Sequence, residues 1–76
     1  MKEKFIEALA EALEMEPADI KMEDKFRDYD AYDSLTELSV FAMLDSEFGI
    51  ELEMEEYKKY FTVKDLFQLV QNRTKN

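Results

Sequence analysis

The chain has 76 residues, of which 46% are hydrophobic and 38% are charged, and its net charge is −9. This length suits one small domain, which we expect to span residues 1–76. Cysteine and histidine are both missing from the sequence, which excludes disulfides, thiolate chemistry and the usual zinc sites. No apolar run approaches the roughly 18 residues of a membrane span, and no signal-peptide core follows the charged start. We therefore expect a cytoplasmic protein without membrane insertion.

The composition favours helices over strands. The sequence contains one glycine and one proline, too few for the many tight turns of an all-β fold. Alanine, leucine, glutamate, methionine and lysine are frequent, and all five are good helix formers. These features predict an all-α fold, namely a small four-helix bundle with a long loop between helices one and two and a short third helix.

Helix one is predicted over residues 2–15. Its apolar residues recur at helical spacing on one face: Phe5, Ile6, Leu9 and Leu13. Pro17 is expected to end the helix, because a proline disfavours the helical conformation of the residue before it. Residues 18–32 then form a long connector, which is expected to reach the core through three apolar anchors: Ile20, Met22 and Phe26.

Helix two is predicted over residues 34–48. Ser34 followed three residues later by Glu37 matches a capping box, so Ser34 is expected to be the N-cap. Gly49 directly follows the predicted helix, at the position where a residue in the left-handed conformation commonly ends a helix. The inward stripe of this helix is expected to consist of Val40, Phe41, Leu44 and Phe48. A different face carries Leu35, Leu38 and Ala42.

The last third of the chain is predicted to be an extended connector and two helices. Residues 50–53 alternate in hydropathy but are too few for a paired strand, so they are expected to bury Ile50 and Leu52 as a connector. Helix three is predicted over residues 54–60. Thr62 is expected to cap helix four, with Asp65 as an acidic variant of the capping box. The buried face of helix four is expected to be Val63, Leu66, Phe67 and Val70, and residues 72–76 are expected to form a frayed tail.

The charge is unevenly distributed along the chain. Residues 28–56 hold ten acidic residues and no basic one, whereas residues 57–76 hold one acidic and five basic residues. Such a field repels nucleic acid and steers toward basic protein surfaces, so no nucleic-acid partner is expected. Asp28, Asp30 and Asp33 suggest a calcium loop, but Asp33 stands where the loop needs glycine, and Ser39 stands where it needs glutamate. No metal site is predicted.

Catalysis by the chain itself is not expected. Without histidine or cysteine the common nucleophile–base pairs are missing, and a small bundle has little room for a cleft. Ser34 remains of interest, because its hydroxyl lies at the N-terminus of a predicted helix, on a surface that is expected to be strongly negative. Taken alone, the tripeptide Asp33-Ser34-Leu35 is better explained by helix capping than by a functional role of the serine.

The sequence around this tripeptide resembles the acyl carrier protein family. The resemblance runs from about Phe5 to Val70 and rests on Asp33-Ser34-Leu35, on residues 45–51, on residues 61–66 and on Phe26 seven residues before Asp33. It implies that Ser34 accepts 4′-phosphopantetheine from a phosphopantetheinyl transferase, which uses coenzyme A and magnesium. It also implies that the transferase reads Asp33 and Leu35, and that the thiol of the attached arm holds acyl groups as thioesters.

The resemblance also implies partner enzymes. These would be acyl-transferring or condensing enzymes with basic docking surfaces, in fatty acid, polyketide or related lipid biosynthesis, and the carrier would be a monomer. Their docking site would consist of Leu35, Leu38 and Ala42, ringed by Glu37, Asp45 and Glu47. Two alternatives stay open: a stand-alone aminoacyl or peptidyl carrier, and an unmodified acidic helical interaction module.

The sequence departs from the family at several positions, which points to a specialised carrier. Asp30-Ala31 replaces the Leu-Gly pair that the family usually has just before the motif. Positions that are typically acidic in helix two are here Thr36, Ser39 and Ser46.

Overall fold

A computed structural model describes residues 2–74 of the protein. Within this range the fold is all-α, which confirms the predicted architecture. Its α-helices are α1 (Lys2–Leu13), α2 (Ser34–Phe48), α3 (Met54–Tyr57) and α4 (Val63–Thr74). Two single-turn 3-10 helices, Pro17–Asp19 and Phe26–Asp28, lie in the long loop between α1 and α2. None of the helices between residues 2 and 74 is both long and apolar enough to cross a membrane.

Helix α1 ends earlier than the sequence suggested. Glu14 adopts a left-handed conformation (φ 58°), and the Met15 N–H donates to the carbonyl of Ala10 at 2.9 Å. This pairing is the Schellman motif, which satisfies carbonyls at a helix end. The prediction that Pro17 ends the helix is therefore wrong, because the backbone already turns after Leu13. Pro17 instead opens the following 3-10 helix, where it needs no N–H partner.

The core lies between the faces that α1, α2 and α4 turn inward. Phe5 of α1 is wholly buried, and its ring centroid lies 6.2 Å from that of Phe48 and 5.4 Å from that of Phe67. The inward stripe of α2 is confirmed: Val40 and Leu44 are wholly buried, and Phe41 and Phe48 are partly buried against the core. Met43 is also buried, which the sequence analysis did not anticipate.

The long loop is tied to the start of α4. Ile20 and Phe26 are buried and Met22 packs against the core, as predicted. The N–H groups of Val63 and Lys64 donate to loop carbonyls of Asp24 and Met22, both at 2.9 Å. The first donors of a helix have no partner within it, so the loop backbone supplies what α4 lacks.

The ends of α3 and α4 differ from the prediction. Helix α3 ends at Tyr57 rather than at residue 60, and residues 58–59 continue as a turn. Helix α4 is longer, because it continues through residues 72–74 that were predicted to fray. An ion pair of 2.6 Å between Arg73 and Glu56 supports this last turn from α3. Residues 75 and 76 of the predicted tail lie outside the described residues.

Candidate attachment site

Helix α2 begins with a capping box, but not with the one that the sequence suggested. Asp33 is the N-cap, and its Oδ1 accepts from the Thr36 N–H at 2.9 Å. Thr36 Oγ1 in turn accepts from the Asp33 N–H at 2.7 Å. The prediction of Ser34 as the N-cap with Glu37 is therefore wrong by one position. Ser34 is already inside the helix, because the extended conformation of an N-cap lies at Asp33, and the Glu37 carboxylate instead accepts a hydrogen bond from Tyr32.

Because Asp33 is the N-cap, the Ser34 side chain does not cap α2. Ser34 is the first residue of α2 and is exposed. Among residues 2–74 its hydroxyl has no hydrogen-bond partner, whereas the Thr36 hydroxyl is buried and bonds to the carbonyls of Ala31 and Asp33. If Ser34 capped the helix, its Oγ would accept a hydrogen bond from a backbone N–H group of the first turn. Here the oxygen stays accessible at the helix start.

The neighbouring carboxylate is fixed as an anion but is a poor base. The backbone N–H and the hydroxyl of Thr36 hold the pKa of Asp33 below its ordinary value, and the Leu35 N–H adds to this effect. Asp33 is therefore ionised at neutral pH, and its cap bond holds it in place. Since a general base needs a pKa near the working pH, Asp33 is unsuited to deprotonating Ser34.

Hydrogen bonds through the Tyr32 hydroxyl connect Glu37 of α2 to Tyr57 of α3. The Tyr32 hydroxyl donates to Glu37 Oε2 at 2.7 Å and lies 2.8 Å from the Tyr57 hydroxyl. Because the Tyr32 proton is given to the carboxylate, Tyr57 is the donor to Tyr32. Burial is the main cause that raises the pKa of both tyrosines, so both are protonated at neutral pH. Both hydrogen bonds therefore run in the same direction: Tyr57 donates to Tyr32, and Tyr32 donates to Glu37.

Arg27 holds α3 against the loop. Its guanidinium donates to the carbonyls of Tyr57, at 2.7 Å, and of Tyr60. The guanidinium carbon also lies 4.8 Å from the ring centroid of Phe26 and 4.6 Å from that of Tyr57. Carbonyls at the end of so short a helix need outside donors, and a stacked arginine supplies them. The sequence analysis missed this role; the signal was that Arg27 is the last base before the acidic run.

The predicted docking residues divide into two groups. Leu35 is 73% exposed and Leu38 63% exposed, and Ala42 is exposed beside them. At about 3.6 residues per turn, Asp45 falls on the same side of α2 as Ser34 and Leu38. The other two acids lie elsewhere. Glu37 is bonded to Tyr32, and Glu47 borders the groove between α1 and α2.

Comparison with known proteins identifies the family of this sequence. Residues 3–70 match the family described as "Phosphopantetheine attachment site". The chain belongs to this family. It is 33% identical over 72 residues to an acyl carrier protein of Clostridium acetobutylicum, which covers 95% of the chain and 94% of that relative. It is 31% identical over 71 residues to an acyl carrier protein of Thermosynechococcus vestitus, which covers 93% and 88%.

Membership settles the class of function. The protein is a carrier of covalently attached 4′-phosphopantetheine and is not an enzyme. Its partners are a phosphopantetheinyl transferase, which attaches the arm, and enzymes that handle acyl groups. The unmodified interaction module, one of the two alternatives left open by the sequence, is thereby excluded.

Proposed function

We propose that Ser34 is the residue that carries the 4′-phosphopantetheine arm. The observation that carries this proposal is the exposed Ser34 at the first position of α2, whose hydroxyl has no hydrogen-bond partner among residues 2–74 because Asp33 and Thr36 cap the helix instead. The start of a helix suits a phosphodiester, because its open N–H groups and its dipole favour an anion. Ser39, one turn further, is less suited, since its hydroxyl donates to the carbonyl of Leu35 at 3.2 Å.

Ser34 contributes a nucleophilic oxygen and nothing more. Its Oγ forms a bond to the pantetheine-side phosphorus of coenzyme A, and the phosphoanhydride bond to adenosine 3′,5′-bisphosphate breaks. The proton of the hydroxyl passes to a base of the transferase, because Asp33 is too weak a base for this step. Once attached, the arm supplies a thiol on which an acyl group is held as a thioester.

The exposed face of α2 serves recognition in this proposal. Asp33 and Leu35 flank Ser34 and are read by the transferase. Leu35, Leu38 and Ala42 form an apolar contact for partner enzymes, and Asp45 adds a charge that attracts a basic docking surface. The carrier acts as a monomer of one domain, residues 1–76, with no nucleic-acid partner. It serves fatty acid, polyketide or related lipid biosynthesis in the cytoplasm.

Intact mass after enzymatic loading tests the attachment. The purified apo protein is incubated with coenzyme A, magnesium and a broad-specificity phosphopantetheinyl transferase. The wild-type protein should gain the mass of one phosphopantetheine, and Ser34→Ala should gain none. Ser39→Ala is the matched control and should be loaded as the wild type is. An unchanged wild-type mass with several transferases, or loading of Ser34→Ala, would refute the assignment.

A pair of charge reversals tests the docking face. Asp45→Lys reverses a charge on the side of α2 that carries Leu38, and Asp19→Lys makes the same change at an exposed position of the first 3-10 helix. The first variant should slow transfer by partner enzymes through the association rate, and its rate should depend less on salt. Asp19→Lys should behave as the wild type does. Equal rates for both variants would argue that docking does not use this face.

A further inference from the structure

We propose that the turn between α3 and α4, together with residues 21–25 of the first loop, is a docking surface for an acidic, partly apolar segment of another protein. We call this surface the basic patch; it consists of the exposed Phe61 and five exposed lysines: Lys21, Lys25, Lys58, Lys59 and Lys64. No residue of the patch belongs to α2. The inference therefore goes beyond the proposed docking face and does not depend on the attachment at Ser34.

Backbone contacts bring the two segments of the basic patch together. Lys25 pairs with Thr62 in an isolated antiparallel bridge. Beyond this bridge, the Lys64 N–H donates to the carbonyl of Met22 at 2.9 Å. Lysines that are distant in the sequence therefore lie in one region of the surface.

The basic patch carries positive charge that the chain itself does not pair. Residues 21–25 and 58–65 hold five lysines and three acids. Two of these acids are bonded within the chain: Asp24 accepts from a tyrosine hydroxyl at 2.8 Å, and Asp65 accepts from two backbone N–H groups. The third, Glu23, is exposed. Among residues 2–74 none of the five lysines forms an ion pair, so their charges are available to the carboxylates of a partner.

Phe61 supplies an apolar anchor among these lysines. Its side chain is 58% exposed, although its backbone is fixed. The Phe61 N–H donates to Asp65 Oδ2 at 3.0 Å, and the next residue, Thr62, forms the bridge to Lys25. Aromatic side chains are enriched at protein interfaces. A ring on a fixed backbone also loses little freedom when a partner covers it, which favours binding.

A groove beside the turn can receive an apolar side chain of the partner. It has a volume of about 430 Å³ and follows α4 from Asp65 to Arg73. Lys59 and Tyr60 line it at the turn, and the buried Leu69 lines it on α4. Amphipathic segments commonly bind by placing apolar side chains in such a groove. The surface therefore combines a protruding ring, a groove and unpaired positive charge.

The charge of the whole chain favours a protein segment over an extended anionic surface. The net charge is −9, and ten acids lie within residues 28–56. The molecule measures only 34 × 26 × 21 Å. A membrane of anionic lipids would therefore also face acidic residues of the same molecule, which oppose binding. A short acidic segment can cover the basic patch alone.

Amide resonances of the nitrogen-15-labelled full chain test the inference with a defined probe. The probe is a short synthetic helical peptide of glutamate, leucine and alanine, and its control replaces every glutamate by glutamine. The acidic peptide should shift the resonances of Lys25, Lys58, Lys59, Phe61 and Lys64 with a saturating titration curve. The glutamine peptide should bind at least about fivefold more weakly, because it keeps the apolar contacts and loses the charge pairs.

Matched variants show whether the named side chains carry the binding. Phe61→Ala and the double variant Lys58→Gln/Lys59→Gln should each weaken binding of the acidic peptide at least about fivefold. Lys2→Gln/Lys4→Gln removes two exposed lysines of α1 and should bind as the wild type does. Because all these side chains are exposed, each Tm should stay within about 4 °C of the wild-type value. Loading of Ser34 by the transferase should keep its wild-type rate in all three variants.

Several outcomes would overturn the inference. These are equal binding of the two peptides, shifts confined to residues outside the basic patch, and wild-type affinity in Phe61→Ala. Slower loading of Phe61→Ala would assign the patch to the transferase instead. Tighter binding to phosphatidylglycerol vesicles than to the peptide, or patch shifts that depend on protein concentration alone, would replace the proposed partner by a lipid surface or by a second copy. Failure to load the wild type would refute only the proposed function of Ser34.

Discussion

The first turns of α2 and α4 are closed by the same kind of capping box but have opposite surroundings. In α4 the Asp65 N–H donates to Thr62 Oγ1 at 3.1 Å, and Asp65 Oδ2 accepts from the Thr62 N–H at 3.1 Å. Loop carbonyls take the next donors, and Val63 and Leu66 are wholly buried. In α2 the box of Asp33 and Thr36 also has both of its hydrogen bonds, yet the side chains of Ser34 and Leu35 stay exposed.

The difference shows how one local motif serves two purposes. In α4 the cap fixes a helix start that the loop and the core then cover, so every group there contributes to stability. In α2 the cap fixes the backbone and leaves the side chains of Ser34 and Leu35 exposed, as the proposed attachment at Ser34 requires. A rigid start with an accessible oxygen presents the hydroxyl in one place, which lowers the cost of recognition. Variants in matched positions of the two helices can test this contrast.

The largest difference is expected for a pair of leucines. Leu66→Ala in the first turn of α4 should reduce the free energy of unfolding by about 2–5 kcal/mol, because it empties a buried site. Leu35→Ala in the first turn of α2 should change it by less than about 0.5 kcal/mol, because that side chain is exposed. Urea denaturation measures both. Similar losses for the two variants would mean that the first turn of α2 is not an exposed surface.

A smaller effect is expected for a pair of threonines. Thr62→Ala removes the N-cap oxygen of α4 and should cost about 1 kcal/mol of unfolding free energy without changing the rate of Ser34 modification. Thr36→Ala removes the hydroxyl that accepts from the Asp33 N–H, so it should destabilise α2 and also slow the modification. Urea denaturation and loading rates with the transferase separate the two effects. Equal loading rates for Thr36→Ala and the wild type would show that the cap does not position Ser34.

The smallest effect is expected from acidification. Backbone N–H groups, of Phe61 and Thr62 for Asp65 and of Thr36 for Asp33, hold both pKa values below the ordinary range. Each carboxylate therefore contributes stability that is complete above about pH 3.9, the unfolded pKa, and is lost as the pH falls through the lowered folded pKa.

Asparagine variants test the pH dependence at high salt, where repulsion among the acids is screened. The wild type should be more stable than Asp65→Asn at neutral pH, and the difference should shrink as the pH falls below 3.9. Asp33→Asn should follow the same course. Asp19→Asn is the control, because Asp19 is exposed and lies in the 3-10 helix Pro17–Asp19, outside both capping boxes. A difference that did not change with pH would contradict the role of the two carboxylates.

Periodicity and turn residues were sufficient to predict the helices and most of the core. The stripe of Val40 and Leu44 and the cap of Thr62 with Asp65 follow from local spacing, and Gly49 takes the left-handed conformation (φ 68°) that a helix end requires. Local patterns failed where two of them competed. The Ser34–Glu37 and Asp33–Thr36 boxes are offset by one residue, and spacing alone does not show that the backbone leaves the helical conformation at Asp33 rather than at Ser34.

Contacts between distant residues were beyond local patterns. Arg27 meets Tyr57 thirty residues later, and Tyr32 meets it twenty-five residues later. Nothing in the spacing of these residues indicates that they pack together, since the pairing depends on how the loop lies across α3. The packing of Arg27 and Tyr32 against Tyr57 was therefore visible only in the structure, whereas Ser34 could be singled out from the motif around it.

Site-resolved mass spectrometry of the loaded protein tests the central claim most directly. After incubation with coenzyme A and a phosphopantetheinyl transferase, fragmentation of the intact chain locates the added mass. The account predicts that all of it lies on Ser34. Added mass on Thr36, Ser39 or Ser46, or anywhere else while Ser34 stays unmodified, would contradict it.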